Sequence, residues 1–202
     1  MRRLIRSFLP TTGLLFAAAL MATATLQSAG AAVNDVDTCR DGSGGLAIEA
    51  CTRAIASGEF QGRDLAGLYS NRAFEYGQKS DHDRAIADYS AAIRLDPNCA
   101  AAFSNRGVSW RRQGQIERAI ADYSEAIRLD PKAGYYRNRA IAWRQKDDND
   151  RAIADYSEAI RLDPQDPDLY LNRSIAYKAR GNFVSSLADL MKAIVLEFQD
   201  RS

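Results

Sequence analysis

Apolar and aromatic residues in this chain recur at intervals of three and four, the spacing that gathers side chains on one face of an α-helix. Tyr69, Arg72, Ala73 and Tyr76 bring an arginine into one such stripe, and Ala85, Asp88, Tyr89 and Ala92 bring an aspartate into the next. Two amphipathic helices are predicted, and then the arrangement returns. The string Arg-Ala-Ile-Ala-Asp-Tyr-Ser starts at Arg84, Arg118 and Arg151, a period of 34 and then 33 residues. Each copy runs on to Ile-Arg-Leu-Asp-Pro, closing at Pro97, Pro131 and Pro164, where a residue without a backbone N–H ends the helix. A second shared string, from Tyr69-Ser70-Asn71-Arg72-Ala73 to Tyr170-Leu171-Asn172-Arg173-Ser174, opens each unit. Four helix pairs follow, the last diverged and ending near Phe198. Residues 47–55 carry the second-helix pattern without a first helix.

A repeat of about 34 residues with an aromatic, Gly or Ala, an aromatic, then Ala, Tyr, Ala and Pro resembles the tetratricopeptide repeat. Trp110 and Trp143, Ala85, Ala119 and Ala152, Tyr89, Tyr123 and Tyr156, and the three prolines fall on that pattern. The resemblance spans residues 66–198 and implies an all-α fold, a right-handed α-solenoid of antiparallel helix pairs. Its units are 66–99, 100–132, 133–166 and 167–202, the last including a tail, after an extension over 33–65 that holds the half-repeat helix. Two departures stand out: Arg72, Arg106, Arg139 and Arg173 replace a leucine, and the fourth unit has Ser186, Leu190 and Phe198 for Ala, Tyr and Pro.

The arginines have a matching partner. Asp88, Asp122, Asp155 and Asp189 each follow one by 16 residues, and in the truncated unit the equivalent position is Ala50. Facing stripes would therefore bring together Arg72–Asp88, Arg106–Asp122, Arg139–Asp155 and Arg173–Asp189, ion pairs that set register within each unit.

The N-terminus reads as an address. Arg2, Arg3 and Arg6 precede an apolar run over 13–22, and small residues follow at 29–32, so residues 1–32 are expected to be a cleaved signal peptide. The alternative, a retained anchor, has an apolar run shorter than the roughly 20 residues a bilayer requires. Cleavage removes three arginines and turns the formal charge from +1 to −2. A periplasmic or secreted location follows, with no membrane association after cleavage and no basic field for nucleic acid. In an oxidising compartment Cys39 and Cys51 are expected to form a disulfide across the turn at 41–45, leaving Cys99 free. With a single histidine, His82, expected to be exposed in a turn, and no Cys-x-x-Cys, no metal or other cofactor is implied.

Function is expected on the inner wall that first helices form in a solenoid. Asn71, Asn105, Asn138 and Asn172 recur there, and the resemblance implies that such a ladder grips the backbone of an extended peptide through its amides. Arg111, Arg112, Arg144 and Lys178 lie one to two turns beyond, with Arg137 beside one asparagine, suiting an acidic segment or a C-terminal carboxylate. The same residues also read as hydrated helix ends. The last helix carries Leu187, Leu190, Met191, Ile194, Val195 and Phe198 on more than one face, which predicts self-association through Leu187, Met191, Val195 and Phe198, as a homodimer, or a partner at that end. No nucleophile elbow, zinc motif or Walker loop appears. The expected role is a non-enzymatic module binding a protein or peptide, as an adaptor or envelope assembly factor, with a self-associating structural module as the alternative and an enzyme as a remote one.

Overall fold

The computed structural model describes residues 34–199, and the expected signal peptide lies outside them. These residues form ten helices and no strand: α1 (34–41), α2 (Gly44–Ala56), α3 (Gly62–Gln78), α4 (His82–Leu95), α5 (Ala100–Arg112), α6 (Ile116–Leu129), α7 (Ala133–Gln145), α8 (Asn149–Leu162), α9 (Pro167–Ala179) and α10 (Phe183–Gln199). Helices α3–α4, α5–α6, α7–α8 and α9–α10 pack as hairpins, and each second helix packs on the first helix of the next hairpin. The chain is thus a one-dimensional stack, in which every unit buries its faces on its neighbours.

Small residues let the helices approach. Ala73, Ala85, Ala92, Ala119, Ala126, Ala140, Ala152 and Ala159 are fully buried, and between them stand Tyr89, Tyr123 and Tyr156. Gly107 shows the tolerance most sharply, because a Cβ there would meet Tyr123 Cε1 at 2.7 Å. Inside every hairpin the turn passes through one residue of left-handed conformation, Ser80 (φ 60°), Gly114 (77°), Asp147 (59°) or Gly181 (76°). That residue ends the first helix in a Schellman-type cap, in which the next N–H reaches back, as from Asp81 to the Tyr76 carbonyl at 2.9 Å and from Gln115 to that of Trp110 at 2.9 Å. Asp81 and Asp148 then accept from the N–H groups of Arg84 and Arg151 and cap the second helices.

Four expectations are adjusted, in the half unit, in the length of the turn that the expected disulfide spans, at His82 and at the start of α3. The half unit, expected to lack a first helix, has a short one of its own, since residues 34–41 form helix α1. Cys39 sits on α1, Cys51 on α2, and their sulfurs are bonded at 2.05 Å across a turn reduced to residues 42–43, since Gly44 and Gly45 begin α2. His82 is half-buried rather than exposed: Asp81 takes the cap, which places His82 in the first turn of α4 against α3 and α5. Helix α3 also starts one turn ahead of residue 66. No described helix is long and apolar enough to cross a membrane.

Candidate functional site

Each of the four arginine–aspartate pairs is a two-pronged contact. Nε of Arg72 donates to Asp88 Oδ2 at 2.7 Å and Nη2 to Oδ1 at 2.9 Å; in the next units the two distances are 2.8 and 2.8 Å, 2.8 and 2.8 Å, and 2.7 and 2.8 Å. The aspartate side chains are about nine-tenths buried and the arginines about four-fifths. The remaining guanidinium nitrogen, Nη1, reaches a hydroxyl on the preceding unit: Thr52 at 3.0 Å, Ser90 at 3.0 Å, Ser124 at 2.9 Å and Ser157 at 2.9 Å. Those hydroxyls donate onward to the carbonyls of Ile48, Ile86, Ile120 and Ile153. The guanidinium also lies 5.5–5.9 Å from the ring centre of Tyr69, Phe103, Tyr136 or Tyr170. The latch therefore ties a unit to the one before it as well as to itself. Hydrogen bonding to the aspartate outweighs burial and raises the pKa of Arg72, Arg139 and Arg173, so the charge is firmly held.

With these arginines engaged in structure, the inner wall is left to other side chains. Asn105 lines a cleft between α3 and α5 with Phe74 and Val108. Asn138 Nδ2 reaches Ser104 Oγ on the neighbouring first helix at 3.5 Å, and Arg144 Nη1 reaches Asn172 Oδ1 at 3.5 Å. Asn172 Nδ2 donates to the Asp168 carbonyl of its own helix at 2.7 Å, so both ends of that amide are already engaged. Asn71 lines a separate cleft with Val36, Phe60 and Leu68 at the α1 end. The asparagines thus occupy one row across adjacent first helices.

A second row escaped the sequence reading. Phe74, Val108, Ile141 and Ile175 follow the four asparagines by three residues each, one helical turn along, and Phe74 and Ile175 are 49% and 42% exposed. The signal was present as an apolar residue at a fixed offset from each asparagine, hidden because the same spacing also suits a core position. Arg111, Arg112, Arg144 and Lys178 have no carboxylate within ion-pair distance among the described residues, whereas Arg137 lies 3.6 Å from Asp166. Arg111 and Arg144 sit beside the Tyr123 and Tyr156 hydroxyls. Burial pushes both phenols up in pKa and the arginines oppose it, yet neither hydroxyl has a well-formed hydrogen bond. At the far end, Leu187, Met191, Val195 and Phe198 of α10 are 48–71% exposed. Met191 stands where Ser90, Ser124 and Ser157 receive the next arginine, so α10 has no acceptor for a fifth latch. No cluster of residues suited to a metal ion occurs among the described residues.

Family models described as tetratricopeptide repeat and TPR repeat match residues 72–134 and 142–181. No curated protein matches the chain. Among solved structures, a crystal structure of MamA is 20% identical, covering 77% of this chain and 89% of its own, with a TM-score of 0.71. MamA from Desulfovibrio magneticus RS-1, from residue 41 to its end, is 17% identical, covering 85% and 96%, at 0.76. BtubC (BKLC) from P. vanneervenii is 23% identical, covering 77% and 74%, at 0.71. These likenesses are likenesses of fold. The repeat matches, the stacked hairpins and the helix-facing positions together place the chain in the tetratricopeptide repeat family, a family of protein–protein interaction modules.

Proposed function

We propose that the chain is exported and binds an extended protein segment along its inner wall, as a non-catalytic adaptor or envelope assembly factor. The observation that carries this reading is the pairing of two rows in register on successive first helices, asparagine amides beside apolar side chains that are exposed at Phe74 and Ile175 and half-buried at Val108 and Ile141. An extended segment offers peptide groups and side chains in the same alternation, so amides would meet its backbone and the apolar row its side chains. Arg111, Arg112 and Arg144 add unneutralised positive charge, which favours an acidic segment. The N-terminal pattern of Arg2, Arg3 and Arg6 before an apolar run, and the Cys39–Cys51 bond, support export to an oxidising compartment. The test is pull-down of envelope proteins with the chain and its Asn105→Ala, Asn138→Ala double variant. Loss of specific partners from the variant is expected, and an unchanged set would contradict the groove reading.

A second reading has its own observation, the uncovered apolar face of α10. Burying such a face against a second copy is a common route to a symmetric dimer. Light scattering coupled to size-exclusion chromatography separates the two: a dimer that Met191→Asp abolishes would support self-association, and a monomer would dismiss it.

A further inference from the structure

Second helices inside the stack are fastened to the next unit by two polar ties. One is the hydroxyl that receives the next arginine, at Thr52, Ser90, Ser124 and Ser157. The other starts from an acid in the first turn of α4, α6 and α8. Gln113 donates to Asp83 at 2.7 Å, Lys146 meets Glu117 at 2.7 Å and Arg180 meets Asp150 at 2.8 Å, each from the residue that closes the next first helix. In α10 the two positions hold Met191 and Val184, and Val195 stands at the place of Arg94, Arg128 and Arg161. The face that would seat a fifth unit has thus lost its polar fastenings and become apolar at the same positions.

That face is continuous. Asp189, Ala193 and Leu196 are buried on the side of α10 that packs on α9, while Val184, Leu187, Met191, Ile194, Val195 and Phe198 are 46–83% exposed. At 3.6 residues per turn these six fall within one arc of about 100°, and the exposed charges of α10, Lys192 and Glu197, lie outside it. Val184, Leu187, Met191, Ile194 and Phe198 alternate in steps of three and four, the spacing by which one helix seats along another. The six side chains present on the order of 600 Å² of apolar surface, so two such faces together reach the roughly 1,200 Å² at which stable specific interfaces begin.

The opposite end of the stack does not complement this face. Asp35, Asp37, Arg40 and Asp41 make half of α1 charged, and its apolar residues, Val36 and Cys39, pack into the chain's own cluster with Cys51 and Leu68. Head-to-tail stacking would lay those charges on an apolar surface, which is costly. Building on the self-association reading, we propose that α10 meets α10 of a second copy, tail to tail, in a closed pair whose two-fold axis passes near Met191. Met191 is the middle of the face, and mutual burial is greatest when middle lies against middle. A contact that uses one patch twice ends at two copies, so the pair does not grow into a filament, and the disulfide-tied half units stand at its outer ends.

The test uses the full chain with its free cysteine replaced, Cys99→Ser, to which Met191→Cys or Leu46→Cys is added. Leu46 is 73% exposed on α2, at the other end of the stack. Light scattering is expected to give a two-copy mass that stays constant as concentration rises. Mild oxidation is expected to link Met191→Cys to itself and to leave Leu46→Cys unlinked, with no cross-link between the two when they are mixed. A triple variant, Val184→Asp, Met191→Ser and Val195→Arg, installs the residues that α8 carries as Asp150, Ser157 and Arg161, so it keeps a sequence that already folds in this chain; it is expected to be a monomer. A dimer that survives the triple variant, a cross-link between positions 46 and 191, or a mass that grows with concentration overturns the tail-to-tail pair while leaving self-association standing. A monomer overturns both and leaves the face to a helix of another protein.

Discussion

Arg106 delivers three N–H bonds to two elements, two to Asp122 on α6 and one to Ser90 on α4, while its guanidinium lies 5.6 Å from the Phe103 ring centre. Removing one partner strands a charge that is largely shielded from water. Asp122→Ala alone is expected to cost about 3–5 kcal/mol, and Arg106→Leu with Asp122→Ala much less than the sum of the single losses. Chemical denaturation of the four species checks this; additive losses would mean that the pair does not act as a unit. Ser90→Ala removes an acceptor from a charged donor and is expected to cost about 1.5–3 kcal/mol. The arginine–aspartate half of this latch was legible because the repeat displays the same offset four times. The serine half was equally regular, Thr52 included, but became readable only once the stacking order of the units was known.

At the scale of the helix, two glycines make opposite demands. Gly67 on α3 is exposed, with nothing within 4 Å of where a Cβ would be, so Gly67→Ala is expected to stabilise by about 0.5–1 kcal/mol. In Gly107→Ala the same gain is opposed by the approach to Tyr123 at 2.7 Å, and overpacking of about 1–3 kcal/mol leaves a net loss. Thermal melts of the two variants should therefore move in opposite directions. Second helices share a different vulnerability. Burial raises the pKa of Tyr89, Tyr123 and Tyr156, the Asn105 side chain opposing it at the first. An unfolded phenol loses its proton near its ordinary pKa of about 10, while the buried ones still hold theirs. Stability is thus complete below about pH 10 and falls as pH rises beyond it. Tyrosinate absorbance should appear together with the loss of helical circular dichroism; ionisation of these tyrosines in a fully helical chain would contradict their burial. Helix order and hairpin pairing followed from period and proline position. Helix α1 did not, because over 34–41 there are too few apolar residues to show a period, and its packing rests on Cys39 buried against Cys51.

For the whole molecule, stacking decides which faces remain available. Among the described residues each second helix is covered by the next first helix except α10, and the first helices α3, α5 and α7 touch one another in turn, carrying an asparagine row beside an apolar row. The asparagine row was legible as a recurring residue. The apolar row was not, because its meaning depends on neighbours a full period away. Site-specific photocrosslinking in the native envelope tests the account most directly, with the photoreactive residue placed either at Val108 on the inner wall or at Met191 on α10. The account expects an adduct with another protein from position 108 that disappears when Asn105 and Asn138 are replaced by alanine. Adducts that persist in that background, or that arise from position 191 alone, would contradict it.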